Sequence, residues 1–75
     1  MTIEWTEILL DKDSKARIFL RKKEERSWDS GVRDENGEDC FCLSVNNMQD
    51  AVRHLKFIGY PEGAMRLRKR ALEEV

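Results

Sequence analysis

A chain of 75 residues, 40% hydrophobic and 39% charged, allows one domain with a thin core and a surface made mostly of ionised side chains. Fourteen Lys and Arg against fifteen Asp and Glu leave a net charge of −1, and the isoelectric point near 5.8 lies far below that of a uniformly basic nucleic-acid domain. Apolar runs such as Ile8-Leu9-Leu10 and Ile18-Phe19-Leu20 are too short to span a bilayer, and patterned aromatic residues argue for a folded chain over a disordered one.

Residues 2–10 fit two descriptions. Ile3, Trp5, Glu7 and Leu9 alternate as in a strand, while Trp5, Ile8 and Leu9 also suit a short helical stripe. The turn-like Asp11-Lys12-Asp13-Ser14 comes just before the next strand signal, which favours a hairpin. Residues 15–25 read as a strand centred on Ile18-Phe19-Leu20. Its far half, Arg21-Lys22-Lys23-Glu24-Glu25-Arg26, is fully charged and belongs at an edge or in solvent.

Asn36-Gly37 marks a second hairpin, because a type I′ turn requires positive φ at both central residues. A two-residue loop there would set Glu35 against Glu38, Val32 against Phe41, Ser30 against Leu43 and Trp28 against Val45. That register sends Trp28, Val32, Phe41, Leu43 and Val45 to the core, and places Cys40 and Cys42 together on the other face. Asn47 then caps a helix with the stripe Met48, Ala51, Val52, Leu55 and Ile58, which Gly59 terminates. Pro61 opens a second helix with the stripe Ala64, Leu67, Ala71 and Val75, flanked by Met65 and Leu72. The expected architecture is α+β: a single domain over 1–75, with a small antiparallel sheet of three to four strands followed by two short C-terminal helices packed on one face.

No residue pattern announces catalysis. Cys40 and Cys42 have the wrong spacing for a zinc pair or a redox-active Cys-x-x-Cys, and His54 alone could complete a metal set. Counted from Asp34, the acidic stretch puts Gly37 fourth, where a calcium loop needs its glycine sixth. Gly-rich phosphate loops are absent. The chain is therefore expected to be no enzyme and to need no cofactor or metal. The N-terminal residues do not resemble a signal peptide, so a cytoplasmic location is expected, with thiols reduced.

Charge segregation is the strongest functional signal. Residues 12–26 carry seven bases against three acids, residues 27–50 six acids against one base, and residues 51–75 six bases against three acids. The acids Asp34, Glu35, Glu38 and Asp39 form a negative hairpin tip suited to a basic partner. The cations Arg17, Arg21, Lys22, Lys23 and Arg26 on one strand, with Arg66, Lys69 and Arg70 on the last helix, suit an acidic partner. Arg68 falls near the apolar stripe of that helix and is expected to lay its methylenes on the core with its head in water. The leading reading is a small non-enzymatic protein-binding module, an inhibitor, adaptor or regulator of the type encoded by phages and mobile elements. It would dock through these charged surfaces, with Trp5 or Tyr60 supplying apolar anchors if exposed. The alternative is a nucleic-acid binder using strand 17–26 and the last helix. A homodimer through the cysteine-bearing face or a free strand edge is a third reading.

Overall fold

The computed structural model describes residues 5–12 and 15–74. Four strands, β1 (Trp5–Leu10), β2 (Arg17–Glu24), β3 (Ser27–Arg33) and β4 (Asp39–Val45), form one antiparallel sheet in the order β1-β2-β3-β4. Two helices follow, α1 (Met48–Phe57) and α2 (Pro61–Glu74). The α+β reading holds, and the ambiguous N-terminal segment is strand over its described part. The expectations for Ile3, for Asp13-Ser14 and for Val75 lie outside the described residues.

Both helices cover the same face of the sheet. Alternation along the strands brings Ile18, Leu20 and Trp28 beneath Ala51, Val52, Leu55, Ala64, Leu67 and Ala71, and Trp5, Leu9, Val32, Val45 and Tyr60 pack around that cluster. Trp5 and Trp28 meet edge to face at 6.3 Å between ring centroids, and the Lys22 ammonium lies 5.7 Å from the Trp28 ring centroid. Trp5 and Tyr60 thus belong to the core margin and are not free anchors. Gly63 in the first turn of α2 lets that helix approach β2, since a methyl group there would run into Ile18 Cδ1.

The helix ends follow their residues. Asn47 accepts a 2.8 Å hydrogen bond from the Asp50 backbone N–H. Gly59, at φ +107°, donates its N–H to the carbonyl of Lys56, and Tyr60 donates to that of Leu55, which closes α1 in a Schellman turn. Pro61 begins α2 directly after this turn.

The β3–β4 hairpin departs from the expected register at its tip. Gly37 donates to the Asp34 carbonyl at 3.1 Å with φ +82°, so the loop has a turn over 34–37 and not a two-residue Asn-Gly connection. The Asp34 carboxylate accepts the backbone N–H groups of Asn36 and Glu38, each at 2.9 Å, which favours this longer turn. Arg33 then faces Asp39 and Val32 faces Cys40, one residue off the expected pairing. Phe41 absorbs the offset as a bulge in the left-handed region, φ +52°. Beyond it Ser30 faces Leu43 and Trp28 faces Val45, as expected. Two corrections follow. Phe41 is not a core residue but 75% exposed, and the register sets Cys40 and Cys42 on opposite faces.

Candidate interaction surfaces

The face of the sheet without helices is sealed by its own charges. Phe19 is fully buried there, although no helix covers it. Its ring stands opposite Gly31 on β3, where no side chain competes for the space, and the guanidinium carbons of Arg21 and Arg33 lie 5.3 and 5.5 Å from its centroid. Beside it, Asp29 is 1% exposed. Arg21 donates to Asp29 Oδ2 from Nη2 at 2.8 Å and from Nε at 3.3 Å, Lys23 Nζ reaches the same oxygen at 3.0 Å, and the Ser44 hydroxyl donates to Oδ1 at 2.8 Å. Asp39 extends the network to Arg33 at 3.0 Å and to Arg21 at 3.7 Å.

Burial alone would raise the Asp29 carboxyl above its ordinary value. The hydrogen bonds from Arg21, Ser44 and Lys23 outweigh that and hold it below. The bond to Asp29 in turn holds the Arg21 guanidinium above its ordinary value. Burial and the nearby Asp29 charge push the Cys42 thiol up, which disfavours a reactive thiolate.

This geometry divides the expected charged sites. Of the basic strand, Arg21 and Lys23 are committed to Asp29, and Lys22 lies against Trp28 on the helix side. Arg17 and Arg26 are exposed. Of the acidic tip, Asp34 builds the turn and Asp39 pairs with two arginines, while Glu35 and Glu38 project into solvent. On α2, Arg66 and Lys69 are exposed, and Arg70 lies 3.6 Å from Glu7 on β1. The structure thus does not gather the eight cations into one patch. Arg68 is exposed.

A further surface carries no charge signal. Phe57, at the C-terminal end of α1, is 87% exposed. Together with Leu43, Val45, Asp50, Arg53 and His54 it lines a shallow apolar recess between α1 and the edge strand β4. His54 Nε2 lies 2.7 Å from the Phe41 carbonyl oxygen, so the bulge and the helix meet at this recess. The sequence hides this surface, because the expected register sends Phe41 and Leu43 to the core, whereas both are exposed. The signal was Phe57, which falls outside the α1 stripe. Among the described residues, no group of three or more His, Cys, Asp or Glu is placed to hold a metal ion, and no helix is long and apolar enough to cross a membrane. No protein-family model, curated protein or solved structure matches the chain.

Proposed function

We propose that the protein is a small non-enzymatic protein-binding module, an inhibitor, adaptor or regulator, and that a different protein docks on the α1/β4 side. The observation that carries this reading is the exposure of Phe57 at 87% in the recess it forms with Leu43 and Val45, with Phe41 exposed at 75% on β4. Two aromatic side chains in water on adjoining elements of so small a domain favour an interface, because aromatic anchors dominate binding energy where a partner desolvates them. Glu35 and Glu38 at the nearby hairpin tip add a charged rim that would steer a basic flank of the partner. Nucleic-acid binding has less support, since Arg21 and Lys23 already neutralise Asp29.

The test is capture from lysate of the source organism with tagged wild type, Phe57→Asp, and the pair Glu35→Lys with Glu38→Lys. Phe57→Asp is expected to lose the specific partner while keeping the far-ultraviolet circular dichroism of the wild type. The tip variant is expected to slow association and flatten its salt dependence. Identical partners and yields for wild type and Phe57→Asp would refute the reading.

A further inference from the structure

The outer sides of α1 and α2 enclose a second groove, of about 450 Å³, lined by Gln49, Val52, Arg53, Lys56, Met65 and Arg68. Three of these side chains are cationic and none is acidic. Arg53 has one loose partner, Asp50 at 3.8 Å on its own helix. Lys56 and Arg68 have no ion-pair partner among the described residues. The floor is apolar, with Val52 almost buried and Met65 46% exposed.

We infer that this groove receives an acidic, extended peptide segment of the partner, carrying an apolar side chain between its carboxylates. Like charges held around one concavity repel one another and are relieved by anions, which sets the sign of the occupant. The thioether of Met65 and the edge of Val52 offer an apolar seat that adapts to different side chains, which sets the class. A nucleic-acid strand fits less well. Among the described residues, the groove has no aromatic side chain in its lining on which bases could stack. Arg53 lines both this groove and the recess under Phe57, so one partner can span the two. The inference rests on the protein-binding reading and gives the partner its chemistry.

The test uses fluorescence anisotropy with three labelled probes: a short peptide alternating Glu and Leu, the same peptide with Lys for Glu, and a thymidylate oligonucleotide. The acidic peptide is expected to bind the wild type weakly, less so as salt rises, with the Lys peptide inert. Lys56→Glu combined with Arg68→Glu should weaken it by about tenfold or more, as should the milder Arg68→Gln to a smaller degree. Both positions are solvent-facing, so an unchanged thermal melt checks the fold. Absence of binding at low salt, equal binding by the charge-reversed variant, or tighter binding of the oligonucleotide would each overturn the inference. If the peptide fails while Phe57-dependent capture persists, the groove is wrong and the docking face stands. If capture loses its dependence on Phe57, the docking face fails whatever the peptide does.

Discussion

Gly31→Ala tests the hairpin geometry that presents Phe41. A methyl carbon at position 31 would lie 2.9 Å from the Cys40 carbonyl oxygen, 2.9 Å from Cys42 Cα and 3.2 Å from Cys42 N. Carbon atoms in good contact stand about 3.5–4.0 Å apart, so the overlap is roughly half an ångström or more. All three opposing atoms are backbone, and none can rotate away as a side chain would. Overpacking of this kind costs about 1–3 kcal/mol, and the rigidity of the bulge places Gly31→Ala in the upper part of that range. For a domain of this size, each kcal/mol lowers the melting temperature by about 4–8 °C, so a fall of roughly 10–20 °C is expected. Thermal unfolding followed by circular dichroism reads this directly. Deleting Phe41 removes the offset and lets Gly31 face Cys42 in a regular ladder. In that background Gly31→Ala should cost much less. A melting temperature unchanged by Gly31→Ala, or an equal penalty with and without Phe41, would refute the reasoning.

Asp29→Asn should destabilise the fold at neutral pH by about 1–3 kcal/mol, because charge-assisted bonds from Arg21 and Lys23 lose their acceptor charge while both cations can still reach water. Since the folded carboxyl titrates below its unfolded value near 3.9, its contribution is complete above that pH. It is lost as pH falls through the folded value, so denaturant titrations at falling pH should show the two proteins converging below about pH 4. Ser30→Ala should act in the opposite direction. The Ser30 hydroxyl is buried without a hydrogen-bond partner among the described residues, and its removal should raise the denaturant midpoint by the equivalent of about 1 kcal/mol. A lowered midpoint would mean that the hydroxyl is satisfied in solution.

The elements were legible where local chemistry decides them. Asn47, Gly59 and Pro61 act within one turn of their own backbone, and each does what its residue type favours. The far register of the β3–β4 hairpin was legible for the same reason, since Trp28 and Val45 must share the helix-covered face. Its tip was not, because the Asp34 side chain competes with the Asn-Gly preference by accepting two backbone N–H groups. That one-residue change moved Phe41 from core to surface, and with it the docking face. The sealed face was illegible for a different reason. Asp29 and Arg21 read as surface charge in sequence, and only their cross-strand pairing makes them a cover for Phe19. Charge totals along the chain could not reveal that neutralisation, because it joins two segments of opposite sign.

The strand order has a consequence for assembly. Each strand pairs with its neighbour in sequence, so the sheet can zip from one hairpin to the next without a long crossover. α2 is the exception. It follows all four strands and packs back on β1, the first of them, with Gly63 set close to Leu9 and Arg70 reaching Glu7. Until that closure, β1 has a hydrogen-bonded partner on one side but lacks its helix cover. β1 is thus the last of the four strands to be buried, and the 14-residue α2 ties it to the rest of the core.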